Sequence, residues 1–587
     1  MTSRRALIAC LVLAAMFGVV SLRAILVKSP TYDEACHFGS GYAHTFLHDN
    51  RTDTENPFLW KSFAMLFIPR GALGANPMPG KERYVGVTPL VNRWYLDSLF
   101  EGHWDKGMAL INRARIPMLA LGIILLLTTA WWAHRVAGPW AAVAAAALMA
   151  LDPACLAFAP LVKNDVPLAL AMVAATIAMW RVGQRMTLLN AAGLCLACAA
   201  AINVKFSSIL LPPIVLAALT VRALIATPWR VFGRTIDSRW TRLGIVLGLM
   251  VMITVSMYVG IWAGYGFRFT ASPDPTAGFN DLAPLNGWMD HTLAFARQHR
   301  LLPEAFCTGF LRLHYEIHDS RNFLLGQISS RGWWYYYPFV FLVKMPLATL
   351  AAVVLALFVL CTQLTTMKIN RHLWTITCIA LPIVIYLLSA MSSDYDHGIR
   401  SLLPIFPPMF VAVGAIFAHS LKVWPKLTKV FGSVLIVGLA VESLSAYPNY
   451  IAFFNAAAGG ARGGLALLGD SNLDWGQELN SLVQWHDKHP QTRIYLAYWG
   501  EMVPHSSGLW YVPMPGIWTG IPDMLPDPNE PGVLVVSASI LQGIYVRDEW
   551  RPLYEQIHRW KPREVLGESM YIYDFPSPEM QGPPHAR

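Results

Sequence analysis

The sequence predicts an α-helical polytopic membrane protein that carries a small α/β domain at its C-terminal end. Three observations predict it. Apolar runs near 20 residues recur along the first three quarters of the 587-residue chain, long enough to cross a hydrocarbon core of about 30 Å. Only 14% of residues are charged and 55% are hydrophobic, against about 25% charged in a soluble globular chain. The character then changes near residue 448, where short β-type runs and amphipathic helices replace the long apolar ones. The division expected is 1–447 for the membrane domain and 448–587 for a soluble extracytoplasmic domain.

The runs are continuous, without the alternation of a barrel strand, so the spans are helices. Eleven are expected: 5–27, 112–133, 138–156, 165–182, 187–203, 205–224, 242–265, 338–363, 372–391, 401–421 and 427–447. The first follows Arg4 and Arg5, as a signal peptide would, but it lacks a clear small-residue cleavage site and reads as an uncleaved anchor. With the N-terminus inside, the cytoplasmic loops hold Arg135, Arg181, Arg185, the run from Arg222 to Arg242, Lys368, Arg371, Lys422, Lys426 and Lys429. The net charge of +9 is therefore a topology signal and an anionic-lipid contact, and it gives no reason to invoke nucleic acid. Of the eight cysteines, Cys195 and Cys198 lie inside an apolar run and read as packing. Cys36, Cys155 and Cys307 fall on the outer side, where one disulfide could form, although no pair is selected.

This orientation places the non-membrane mass outside, in loops 28–111 and 266–337 and in the tail. In loop one, "FLWKSFAMLFIPRGAL" puts Leu59, Phe63, Leu66 and Phe67 on one helical side. It reads as a helix in the interface plane or as a buried re-entrant piece. In the tail, "TRIYLAYWG", "GVLVVSAS" and "ESMYIYDF" read as strands, and "NLDWGQELNSLVQWHDKH" and "EWRPLYEQIHRWK" as helices. Pro-rich turns such as "YVPMPGIW" and "LPDPNEPG" separate them.

Chemistry-bearing residues collect at the outer helix ends. "KSPTYDEACHFGSGY" holds Asp33, Glu34 and His37, and "TDTENPFLWK" holds Glu55, Asn56 and Lys61. "LVKNDVPLAL" holds Lys163, Asn164 and Asp165, "AINVKFSS" holds Lys205, and "SSDYDHGIRSLLP" holds Asp394, Asp396, His397 and Arg400. Each has a plainer reading: an interface anchor, a snorkelling lysine, or, for Asp165 before Val-Pro, a helix cap. Together they gather acids and cations from several helices at one depth, which points to function. Transfer of a group from a phosphate needs a carboxylate base for the acceptor and positive charge for the leaving phosphate. Lys205 and Arg400 offer that charge, and a divalent cation held by acids is the other means. Asp33 and Glu34 are adjacent, so their side chains diverge and take different jobs. His37 shares a face with Asp33 only if the stretch is helical.

These stretches, with "GWWYYYPFVFLVKMP", "GIRSLLPIFP" and the tail runs "YPNYIAFFN", "DSNLDWGQEL" and "SASILQGIY", resemble the polyprenyl-phosphate-sugar-dependent glycosyltransferases of the GT-C superfamily. The branch is similar to the protein O-mannosyltransferases and the lipid A aminoarabinose transferases (glycosyltransferase families 39 and 83). The resemblance runs over nearly the whole chain. It implies an inverting sugar transfer on the periplasmic or equivalent outer face of a bacterial inner or plasma membrane, to a protein, lipid or glycan acceptor of the cell envelope. It implies that Asp33 is the base, that Glu34 holds donor or acceptor hydroxyls, and that Asp165 is the essential acid of the second loop. It further implies that Glu55 contacts a metal or the acceptor, and that Lys205 and Arg400 hold the phosphate; His37, Asn56 and Lys61 belong to the same substrate-binding set. Glu55 and Asp165 are the candidate ligands of a possible divalent metal. Two departures are visible: Asn56-Pro57-Phe58 stands where relatives often carry His-Pro-Pro, and Gln327 stands in place of an expected acid.

Two motifs stay open. "DSNLDWGQE" spaces Asp470, Asn472 and Asp474 like a calcium loop, but Trp475 takes the sixth place, where an EF-hand needs Gly. A helix start or an acceptor or interdomain contact are its other readings. In "GWWYYYP", Trp333 and Trp334 read as an aromatic interface belt or as sugar-stacking rings. The alternative function is a membrane transporter or lipid flippase with an outer-face ionisable site; it calls for mid-span charges and repeated halves, and neither is seen.

Overall fold

The computed structural model describes the chain except residues 75–77, 79–80, 83–89, 275, 280–286, 319–320, 363–368, 518–529 and 577–587. Part of the expected "LPDPNEPG" turn lies outside the described residues.

A helix stands on each of the eleven expected spans. Among the described residues, 8 helices are long and apolar enough to cross a membrane by themselves. Pro139–Ala150 and Leu188–Ile202 are shorter. The expected single span 138–156 divides because Asp152 starts a new turn: its Oδ1 accepts the Cys155 amide at 2.9 Å, with Pro153 at the first helical position. The expected span 338–363 is likewise two helices, Tyr336–Lys344 and Leu347–Thr362, bent by 114°. Pro346 disfavours helical geometry at Met345, and Lys344 is drawn away to the carbonyls of Ile451 (2.9 Å) and Asn472 (2.6 Å). Glu442 then caps the second helix, accepting the amides of Leu347 at 3.0 Å and Ala348 at 3.2 Å.

Small residues set the bundle's close approaches. The alanine-rich helix Pro139–Ala150 packs on Phe406–Val423 and on Trp104–Ala137. A Cβ at Gly414 would lie 2.6 Å from the Ala141 carbonyl oxygen, so only glycine lets these backbones meet. Cys195 and Cys198 are buried in helix Leu188–Ile202, as packing requires, and all eight cysteines are free. The disulfide considered among Cys36, Cys155 and Cys307 is absent, with Cys155 and Cys307 each buried in their own packing.

In the tail the three expected strands form and two short ones join them: β1 (Ile494–Ala497), β2 (Val512–Pro513), β3 (Gly532–Ser537), β4 (Glu564–Leu566) and β5 (Met570–Phe575). The five-stranded sheet has the order β4-β5-β3-β1-β2. β3 pairs parallel to β1 and antiparallel to β5, and its residues Val533 to Val536 are buried, as a central strand covered on both faces must be. Helices Leu479–Lys488 and Arg551–His558 occupy the two expected amphipathic runs.

Loop one forms helix Glu34–Tyr42 and, after a left-handed turn, the short helix Leu59–Ala64. Leu59, Leu66 and Phe67 are exposed, which agrees with the interface-plane reading.

Candidate functional site

Asp33 precedes helix Glu34–Tyr42, so the stretch is helical and His37 stands one turn on; the His37 amide donates to the Asp33 carbonyl at 2.9 Å. Consecutive helical positions diverge by about 100°, and here the two acids part completely. Asp33 lines a cavity of ≈ 590 Å³, together with His37, Glu55, Asn56, Lys205 and Arg400. Glu34 is fully buried outside it. Its carboxylate accepts from Arg115 Nη2 at 2.7 Å and Nε at 2.9 Å, from the Thr31 amide at 2.9 Å and from the Val162 amide at 3.1 Å. The expectation that Glu34 holds substrate hydroxyls is corrected by this position, since every acceptor direction is already used on the protein. Arg115 itself donates to the carbonyls of Ile25 (3.1 Å), Lys28 (3.3 Å) and Ser29 (3.1 Å), closing the orphan end of the first helix.

The cavity floor is a charge network. Lys163 Nζ pairs with Asp33 and lies 2.9 Å from His37 Nε2. His37 Nδ1 meets Asp53 Oδ2 at 2.6 Å, and Lys61 Nζ meets the same carboxylate at 2.5 Å. Asn56 Nδ2 donates to Asp53 Oδ1 at 2.7 Å, and Asn56 Oδ1 accepts from Asn164 Nδ2 at 2.7 Å. Lys61 is buried beneath the network, reaching Ser40 Oγ at 3.0 Å, and does not line the cavity. In the same cavity, Lys205 Nζ lies 2.6 Å and Arg400 Nη1 3.5 Å from the two oxygens of Asp165. Asp165 is the first residue of helix Asp165–Gln184, not its cap, and its carboxylate holds these two cations. Its contribution is therefore to place Lys205 and Arg400 from behind the cavity wall.

Burial raises the Asp33 carboxyl, but Lys163, His37 and Arg400 outweigh it and hold Asp33 at about 2. Burial raises Asp53 too, and His37 and Lys61 bring it below the usual carboxylate range. Burial pushes Glu501, which also lines the cavity, up to about 8; the hydrogen bond from Tyr95 opposes this, and the Asp33 and Asp53 charges add to it.

The tail reaches into this cavity, a feature no sequence pattern disclosed. Asp470, Trp475, Trp499, Glu501 and Tyr545 line it. Trp499 is sandwiched between Tyr545 (centroids 3.5 Å apart, 7° between planes) and Tyr32 (4.7 Å, 14°). Trp333 and Trp334 are not among the lining residues. The Trp333 amide donates to Asp396 at 2.9 Å, and Trp334 is 69% exposed, which suits an interface ring.

The candidate metal ligands do not fit a divalent cation. Glu55 faces Arg312 at 3.8 Å, and Asp165 is taken by Lys205 and Arg400. Cys36, His37 and Asp53 also cluster, but Lys61 and Lys163 contact the same atoms. Donor sets already facing lysine or arginine repel a further cation, so no step below runs through a metal.

Residues 107–258 match the family model of the Dolichyl-phosphate-mannose-protein mannosyltransferases. No curated protein sequence matches the chain. Among solved structures, ArnT from Cupriavidus metallidurans bound to undecaprenyl phosphate is similar at 13% identity and TM-score 0.45, over 96% of this chain and 97% of that one. The Archaeoglobus fulgidus oligosaccharyltransferase in its apo form is similar at 11% identity and TM-score 0.40, over 93% and 72%. The archaeal oligosaccharyltransferase AglB from Archaeoglobus fulgidus, in complex with an inhibitory peptide and a dolichol-phosphate, is similar at 11% identity and TM-score 0.37, over 93% and 72%. The family match falls on the helical bundle, from helix Trp104–Ala137 into helix Arg239–Gly264.

Proposed function

We propose that the protein transfers a sugar from a polyprenyl-phosphate donor to an acceptor on the extracytoplasmic face, with inversion and with Asp33 as base. The observation that carries this is the one cavity lined both by Asp33 and by the cations Lys205 and Arg400, which are paired on Asp165. The acceptor hydroxyl or amine gives its proton to Asp33 while its lone pair forms the bond to the anomeric carbon. The bond from that carbon to the phosphate oxygen breaks, and its electron pair leaves on the phosphate. Lys205, Arg400 and Lys163 neutralise that charge in a site sheltered from bulk water, where each is worth more than in water.

Lys163 has a second part. It is paired with Asp33, which makes the carboxylate a weak base. An incoming phosphate competes for the same ammonium and frees Asp33 for the acceptor proton. The basic loops at the far end of the bundle support the orientation: Arg222 closes one such turn, donating to the carbonyls of Gly183 (2.6 Å) and Pro228 (2.9 Å). The division at about residue 448 also belongs to this proposal, with 1–447 holding the donor and 448–587 covering the cavity. The charged cluster stands at helix ends rather than mid-bundle, which favours transfer over transport.

Glycan and lipid profiling of a strain lacking the gene tests the proposal. It expects loss of one sugar from a protein, lipid or envelope glycan, with the unmodified acceptor accumulating. An unchanged profile together with lost solute uptake would instead support the transporter.

A further inference from the structure

The run "DSNLDWGQE" was left open by the sequence, and the structure sets it against the phosphate end of the cavity. Ser471 Oγ accepts from Arg400 Nε at 2.9 Å and donates to the His397 carbonyl at 2.6 Å. The Trp475 ring lies under the Arg400 guanidinium, 4.6 Å from Cζ to the centroid, and 5.8 Å from Lys163 Nζ. Asn472 Oδ1 accepts the Ile399 amide at 3.1 Å. This approach needs Gly398: its φ is +92°, and a Cβ there would meet Asn472 Oδ1 at 2.5 Å. The same run also grips the segment before the base. The Tyr32 amide donates to the Trp475 carbonyl at 2.8 Å and the Ser29 amide to the Gln477 carbonyl at 3.0 Å.

We propose that Trp475 and Ser471 of the soluble tail are positioning residues for phosphate binding, fixing Arg400 and Lys163 toward the donor's anionic group. The proposal rests on the reading that a lipid-linked phosphate occupies this end. A guanidinium stacked on an indole keeps its in-plane N–H groups available. Ser471 takes Nε and Asp165 takes Nη1 at 3.5 Å; among the described residues Nη2 makes no hydrogen bond. Stacking thus leaves one edge of Arg400 for a phosphate oxygen while removing the freedom of a long side chain. The ring also brings Lys163, the partner of Asp33, within range of the same anion. Phosphate binding and release of the base are thereby tied to the docking of the tail.

The test uses the full chain in lipid nanodiscs with undecaprenyl phosphate as probe. Affinity is measured for the wild type and for Trp475→Leu, Trp475→Phe, Ser471→Ala, Arg400→Gln and the Trp475→Leu/Arg400→Gln double variant. Trp475→Leu should weaken binding about tenfold, with Trp475→Phe recovering part of the loss. Ser471→Ala, the milder change, should weaken it about threefold. The double variant should lose less than the sum of the two single losses, because Trp475 acts in large part through Arg400. Wild-type affinity in both Trp475→Leu and Ser471→Ala, or fully additive losses in the double variant, would overturn the proposal while leaving the phosphate reading intact. A wild type that does not bind the probe overturns the phosphate reading and the proposal with it.

Discussion

Glu34 and Arg115 form a fully buried two-point ion pair, 2.7 and 2.9 Å, that locks the start of loop one to the second long helix. The acid next to the base is thus a structural anchor. Removing one partner leaves a buried charge unpaired, which costs about 3–5 kcal/mol. Arg115→Met should therefore lower the melting temperature of the purified protein sharply, and the Glu34→Gln/Arg115→Met double variant should regain part of it. Burial raises the Glu34 carboxyl and Arg115 brings it below its ordinary value. Its stabilisation is present above the unfolded-state value and is lost as pH falls through the folded one. Equal melting temperatures for wild type and Arg115→Met would contradict this role.

Lys163 sets the basicity of Asp33. With the lysine present, the Asp33 carboxyl sits at about 2 and stays ionised through the neutral range. The acid limb of the pH–activity profile in the wild type should not belong to Asp33 above about pH 4. In Lys163→Met the carboxyl rises toward or above its ordinary value, so the limb that belongs to Asp33 should move up by more than one pH unit, into the observable range, while activity falls. An unshifted limb in this variant would remove Lys163 from the account.

Glu501 gives the opposite sign. Its carboxyl is raised to about 8 in the folded protein, chiefly by burial. The folded state therefore prefers the protonated acid, and stability is lost as pH rises from the unfolded-state value through about 8. Glu501→Gln should melt higher than wild type at pH 9 and much like it at pH 4. A gain at pH 4 equal to that at pH 9 would show that the carboxyl's charge is not the cause.

Gly398 is the contact on which tail docking turns. Gly398→Ala places a methyl 2.5 Å from Asn472 Oδ1 at a backbone angle few side chains adopt. A cost of about 1–3 kcal/mol is expected. It should appear as faster proteolysis between the bundle and the tail, with the membrane helices still protected. Wild-type proteolysis rates would show that the docking does not depend on this approach.

The membrane helices and tail strands were legible because each is local: an apolar run, or alternation between turns. The bend at Met345–Pro346 was not, because its cap, Glu442, stands on another helix. At the site, Asp33, Lys205 and Arg400 could be named because each stands at a helix end in a short polar loop. Glu34 was misassigned because adjacency shows only that two acids diverge, not which one meets Arg115. Arg115 itself carried a signal, a second cation two residues past Arg113 at the start of a long apolar run. Trp475 stood in a run with an interdomain contact among its open readings, whereas Trp499 and Glu501 carried no signal: their place depends on a tail more than 400 residues from Asp33 folding back over the cavity.

The central claim is that Asp33 removes the acceptor's proton. It is tested most directly by returning wild-type protein or Asp33→Asn to a strain lacking the gene and following the missing sugar by mass spectrometry. The account predicts that the wild type restores the modification. It predicts that Asp33→Asn, inserted and melting normally and still binding undecaprenyl phosphate, leaves it lower by about 10²–10⁴-fold in initial rate. Restoration by Asp33→Asn at the wild-type rate would contradict it.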